Sequence, residues 1–259
     1  MSRRFTHATR DLLDDHTPEA IERRLARGHS QAYLRDFIYG AIDGTVTTFA
    51  VVAGVAGAQL AAGIVVVLGV ANLFGDGFSM AVSNYLGTRA DEQLRERRRT
   101  SERDHIRLQP AGEREEIRQI FRAKGFQGSD LERIVDVITA DEQRWVDTML
   151  QEEFGLALDG PDPIRAATST FVAFIVSGTI PLVIYLWQVA GPDDARIPNP
   201  FFWSSVLTGA TFFTVGALKS RFVDERWWHA GVQTLVIGGA AAAIAFVVGV
   251  LLRGVAETT

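Results

Sequence analysis

The 259-residue sequence contains no cysteine. That excludes disulfides, iron–sulfur clusters, thiolate zinc sites and cysteine nucleophiles. An early apolar stretch is also missing. The first 30 residues are polar, so no secretory signal is expected. Charge of either sign is nearly absent from several long windows, although the whole chain has 26 Lys and Arg, 31 Asp and Glu and a net charge of −5. This mild acidity gives no reason to expect a nucleic-acid partner.

Apart from Arg196 and Arg253, the basic residues fall within 1–36, 88–166 and 219–226. Such segregation points to a polytopic membrane protein carrying a soluble insert. A transmembrane helix needs about 20 mainly apolar residues to cross a hydrocarbon core of about 30 Å. Five windows meet that requirement: 36–58, 62–86, 168–190, 200–218 and 229–252. The expected fold class is therefore all-α, with five transmembrane helices and a cytoplasmic helical insert. The expected divisions are a cytoplasmic N-terminal amphipathic segment over 1–35, spans one and two over 36–86, the insert over 87–167 and spans three to five over 168–259. The short link Gln59–Gly63 makes the first two spans a hairpin, and Pro181 should kink the third. Small residues in the fifth span suit close helix contact. A soluble protein with buried helices would need amphipathic partners, which these windows do not have.

An inside N-terminus places 1–35, 87–167 and 219–228 in the cytoplasm, which puts all but two of the basic residues on that side. Trp187, Trp203, Trp227 and Trp228 then fall at span ends, where an aromatic belt belongs. The stretch HTPEAIERRLARG reads as a short basic helix on the inner surface, started by Thr17 and Pro18.

Residues 87–167 carry 18 Asp and Glu. Their pattern is helical rather than disordered. Span two continues through TRADEQLRERRRTSERDHIRL until Pro110 breaks it, and a second helix presents Ile117, Ile120 and Phe121 before a turn at Gly125–Gly128. Ser129 with Glu132 forms a capping box for a third helix bearing Leu131, Ile134, Val135 and Ile138, and Thr139 with Glu142 restarts it toward Trp145, Met149 and Phe154. Glu102 and His105 are three apart, Glu113 and Glu116 three apart, and Met149 and Glu153 four apart, so each pair projects from one helix face. Converging, they would make a carboxylate-rich set with one imidazole and one thioether, suited to Fe²⁺, Mn²⁺ or Zn²⁺. The same spacing also suits a solvated helix face.

Two spans contain carboxylates at membrane depth, Asp43 and Asp76. Keeping such a group there costs about 2.5–3.5 kcal/mol on the mildest scale, so it marks function by default. Asn72, Asp76, Met80 and Asn84 recur every four residues down span two, and Tyr39, Asp43 and Thr47 form a similar stripe on span one. Two facing stripes of this kind describe a cation path. Met80 equally suits packing, and Asn72 and Asn84 equally suit interhelical hydrogen bonding.

With DGTVTTFAVVAG in span one, GDGFSMAVSNYL in span two, an acidic helical insert and three further spans, the chain resembles the vacuolar iron transporter family. HTPEAIERRLARG followed by YLRDFIYGAIDG resembles its bacterial branch. The resemblance implies a five-span homodimer in a bacterial inner membrane that exchanges cytosolic Fe²⁺, and by extension Mn²⁺, for protons. It also implies a path lined by the first spans and a cytoplasmic domain that collects metal through glutamates. Asp43 and Met80 match the family's pathway carboxylate and thioether. Glu102, Glu113, Glu116, Met149 and Glu153 fall where its metal-binding residues belong, with Glu152 adjacent to them. His105 departs from the family's pattern, which favours glutamate there, and this removes one negative charge and one bridging oxygen. The expected partners are divalent metal ions, protons, the lipid bilayer and a second copy of the chain, and no cofactor is required beyond the metal carried. An enzyme is not expected, because a ferroxidase would need paired Glu-x-x-His motifs on a four-helix bundle. A membrane-anchored metal sensor is the remaining alternative, and it leaves Asp43, Asp76 and the polar stripe unexplained.

Overall fold

The computed structural model describes residues 17–25, 30–221 and 225–256, and every long element among them is an α-helix. The helices are α1 (Pro18–Leu25), α2 (Ser30–Gly57), α3 (Ala62–Leu108), α4 (Pro110–Ala123), α5 (Gly128–Thr139), α6 (Glu142–Glu152), α7 (Pro163–Thr179), α8 (Val183–Ala190), α9 (Pro200–Lys219) and α10 (Trp227–Ala256). Five segments are long and apolar enough to cross a membrane: Tyr33–Gly57, the apolar first part of α3, Pro163–Ala190, Pro200–Lys219 and Trp227–Val255. They coincide with the five windows expected from the sequence. Thr17 Oγ1 accepts from Ala20 N–H at 3.3 Å, so α1 starts where Thr17 and Pro18 predict. The rest of that basic segment, His16 and the residues from Ala26 to Gly28, lies outside the described residues, as do residues 222–224.

The chain forms two compact units. The first takes in the described residues up to Phe74 and from Val172 onward. Small residues let its helices touch backbone to backbone. A Cβ at Gly178 would stand 2.7 Å from Gly44 O, and one at Gly44 would stand 2.9 Å from Phe174 Cα. The same holds where α2 meets α10, because a Cβ on Gly249 would overlap the Gly54 carbonyl and one on Gly57 would overlap that of Phe246. Close approach of this kind supplies the dispersion contact that holds helices together in lipid. Stacked Phe49, Phe201 and Phe246 rings, with centroids 6.2 and 5.7 Å apart, tie α2, α9 and α10 together. Pro181 interrupts the third span as expected, through a 3₁₀ turn over Ile180–Leu182. Ser204 on α9 donates to the Pro181 carbonyl at 2.6 Å, satisfying a backbone acceptor inside the apolar layer.

The second unit spans Gly75–Phe171. Its own core gathers Ile106, Ile117, Leu131, Val135, Ile138, Trp145, Val146, Met149 and Leu150, with Ile120, Phe121 and Ile134 packed against it. Two start signals differ from the sequence reading. Helix α5 begins at Gly128, with Gln127 as its N-cap and no side-chain cap, so Ser129 sits inside the first turn. Gly125 and Gly128 both take positive φ and carry the turn by backbone alone, while Glu132 is drawn into an ion pair with Arg118 at 2.7 Å. Helix α6 is capped by Asp141, which accepts from Arg144 N–H at 2.8 Å, rather than by Thr139. Thr139 is spent elsewhere: its hydroxyl donates back to Val135 O and accepts from Arg114.

Candidate metal centre

Glu102 and His105 lie one turn apart near the end of α3, and Glu113 lies in the first turn of α4. Pro110 at the start of α4 ends the long helix and turns the chain back, which brings residues eleven apart in sequence to one place. His105 Nδ1 stands 3.6 Å from Glu102 Oε1 and 3.5 Å from Glu113 Oε1. One ligand atom from each of the three residues falls within 4.8 Å of the others. Glu102 is 1% exposed and Glu113 6%, whereas the His105 side chain is 56% exposed. The imidazole is thus the face of the cluster that solvent reaches.

Glu102 Oε2 and Glu113 Oε2 are buried without a hydrogen-bond partner. A buried carboxylate oxygen left unpaired costs free energy, and the group responds by holding its proton. Burial pushes Glu102 up to about 7, helped by repulsion from Glu113, Glu153 and Glu116 and opposed by His105. Burial likewise raises Glu113, with Glu116 and Glu153 adding to it and His105 and a side-chain hydrogen bond with Glu102 opposing. Glu153 is raised by burial and by Glu116, against Arg98 and His105. Glu102, His105, Glu113, Glu116 and Glu153 share one electrostatic neighbourhood. A divalent cation among them would partner the two orphaned oxygens and cancel the repulsion.

The other expected ligands are disposed differently. Glu116 is exposed, one turn beyond Glu113. Glu153 is the C-cap of α6. Met149 is fully buried with the apolar core residues around Ile117 and Trp145. Glu152 forms an ion pair with Lys124. Arg98 was not singled out by the sequence reading. It lies one turn before Glu102 on α3, its guanidinium 4.6 Å from the centre of the Phe154 ring, and it opposes the rise at Glu153. Its four-residue spacing to Glu102 was the available signal.

Among the membrane polar residues, Asn72 Nδ2 donates to Thr47 Oγ1 at 3.3 Å, and that hydroxyl donates to Asp43 O at 2.9 Å. The two expected stripes therefore meet at Asn72 and Thr47. Asp43 is half-buried beside Gly44, whose backbone abuts Phe174. Asp76 is exposed and Met80 half-buried. Asn84 donates to Thr170 Oγ1 at 2.7 Å and to Ala166 O at 3.3 Å, joining α3 to α7.

Comparison with known proteins supplies the context for this arrangement. The chain is 31% identical over 228 residues to a vacuolar iron transporter of Toxoplasma gondii, covering 86% of this chain and 76% of that one. It is 31% identical over 238 residues to vacuolar iron transporter 1 of Arabidopsis thaliana, covering 91% and 89%. It is 27% identical over 224 residues to the vacuolar iron transporter of Plasmodium falciparum, covering 85% and 82%. The model of the VIT family matches residues 34–250. With its five apolar helices, the chain belongs to the VIT family of membrane transporters.

Proposed function

We propose that this protein exports Fe²⁺, with Mn²⁺ as a poorer second substrate, from the cytosol of a bacterial cell across its inner membrane in exchange for protons, working as a homodimer whose 87–167 insert collects metal on the cytoplasmic side. The observation that carries this reading is the pair of buried, unpartnered carboxylate oxygens of Glu102 and Glu113 converging with His105. With both carboxyls ionised, protein groups alone leave those atoms unsatisfied, and a borderline divalent cation supplies what they lack. Glu116 and Glu153 contribute negative potential at the rim, which raises the local concentration of cations.

The transport path runs past Asp43 with Asp76, Met80 and Asn72 along it. Asp43 binds the ion when charged and a proton when metal is absent, and this alternation couples the two fluxes. Met80 adds a soft contact that Mg²⁺ and Ca²⁺ do not favour. Asn84, with two acceptors on α7, serves as interhelical glue. The homodimer is supported by Asp76, exposed within an apolar stretch of a single α3. A carboxylate open to lipid is expensive, and a second copy laid against this stretch would cover it. Metal uptake by inside-out vesicles, with and without a proton gradient, tests the reading. Gradient-dependent uptake is expected, and metal binding with no flux would favour the sensor alternative.

A further inference from the structure

We propose that His105 sets the metal preference of the cluster, by adding one imidazole nitrogen to two carboxylate oxygens and so favouring Zn²⁺ and Fe²⁺ over Mn²⁺. The inference rests on the reading of Glu102, His105 and Glu113 as a metal-collecting site. Its second support is that both glutamates are more than nine-tenths buried, each with an Oε2 that no protein donor satisfies while both are ionised.

Nδ1 is the nitrogen turned inward, at 3.6 and 3.5 Å from the two Oε1 atoms, although more than half of the side chain is in solvent. Metal bound at Nδ1 leaves Nε2 to carry the ring proton. Of the other charged groups nearby, Glu116 and Glu153 offer hard oxygen only, and the Arg98 guanidinium offers no ligand. Met149, the one soft donor expected nearby, is packed in the apolar core. Imidazole suits Zn²⁺ and Fe²⁺, whereas an all-oxygen set suits Mn²⁺, Mg²⁺ and Ca²⁺. The identity of this one side chain therefore decides which class the trio belongs to. As a mere counter-ion for two glutamates, His105 would affect all divalent metals alike.

The test is calorimetric titration of the full-length protein in detergent with Zn²⁺ and with Mn²⁺, at one fixed pH. In His105→Glu the ratio of Zn²⁺ to Mn²⁺ affinity should fall at least about tenfold, with Mn²⁺ affinity held or raised. His105→Gln keeps the size without the ring and should show the same fall in ratio with both affinities lowered, which guards against a folding effect of the added charge. A ratio within about threefold of wild type in both variants overturns the proposal. Glu102→Gln and Glu113→Gln provide the separate control. If neither weakens binding of either metal, the metal site itself is wrong, and the proposal about His105 falls with it.

Discussion

Glu113 approaches His105 Nδ1 at 3.5 Å from the far side of a proline break, while Glu102 approaches the same nitrogen at 3.6 Å from its own helix. Two carboxylates held against one ring, each with its second oxygen buried and unpaired, make an arrangement whose energetics depend on what occupies it. The consequences are measurable.

Metal affinity should depend on pH through Glu102. Its carboxyl is pushed up to about 7, chiefly by burial, so metal must displace a proton from it below that value. Binding of Fe²⁺ or Mn²⁺ to the full-length protein should weaken as pH falls through 7, by up to about tenfold per unit for each proton displaced. Glu102→Gln should bind less metal and show a shallower slope, since Glu113 and His105 still give up protons. A flat affinity across this range in wild type would contradict the burial argument.

The metal-free protein should show the opposite trend in stability. A carboxyl whose folded value is raised favours the folded state most at low pH, and that contribution disappears as pH rises through about 7. Thermal unfolding in chelator should therefore occur at lower temperature above pH 7 than below it. Saturating metal should remove the difference. Glu102→Gln should be more stable than wild type in chelator at alkaline pH, since it removes an uncompensated buried charge.

Asn84 should matter to assembly rather than to transport. Replacing it with leucine deletes hydrogen bonds to Thr170 Oγ1 and Ala166 O at a cost of roughly 0.6–1.7 kcal/mol. Asn84→Leu combined with Thr170→Val should cost less than the sum of the single changes, measured by equilibrium unfolding in mixed micelles. Vesicle transport per folded molecule should stay near wild type.

Helix crossings should discriminate sharply among glycines. Gly44→Ala drives a methyl group into the backbone of Phe174, and Gly178→Ala meets Leu73 and the Gly44 carbonyl. Each should cost about 1–3 kcal/mol or more, read as a lowered melting temperature or loss of monodisperse protein on extraction. Gly239→Ala and Gly254→Ala meet nothing within 4 Å and should be tolerated or mildly stabilising.

The spans were legible because about 20 apolar residues in a row have few alternatives, and the first and fourth windows, 36–58 and 200–218, end within a few residues of the helices at Tyr33–Gly57 and Pro200–Lys219. The break at Pro110 was legible for the same kind of reason, as ring chemistry at one residue. Its direction was not, so the meeting of Glu102 with Glu113 could be guessed from spacing only alongside a solvated-face reading. Caps failed where competition decided them. Arg118 takes Glu132, and two glycines at positive φ start α5 without a side chain. The four-residue step from Met149 to Glu153 is also the step of the buried stripe that α6 shares with Trp145, so spacing alone does not separate a ligand from a core residue there. Asn84 belonged to a four-residue polar row, and only its acceptors on α7 reveal what it bonds.

The most direct test of the account is metal-driven proton movement in proteoliposomes holding a pH dye, with wild type compared against Asp43→Asn. Asparagine keeps the size and hydrogen-bonding capacity of Asp43 but does not titrate, so insertion and metal binding by the 87–167 insert should survive. Wild type should take up Fe²⁺ with a matching outward flow of protons, and Asp43→Asn should show neither. Proton-coupled exchange by Asp43→Asn at near wild-type rate would make Asp43 structural and leave Asp76 as the coupling carboxylate, and Fe²⁺ uptake by wild type with no proton movement would contradict antiport itself.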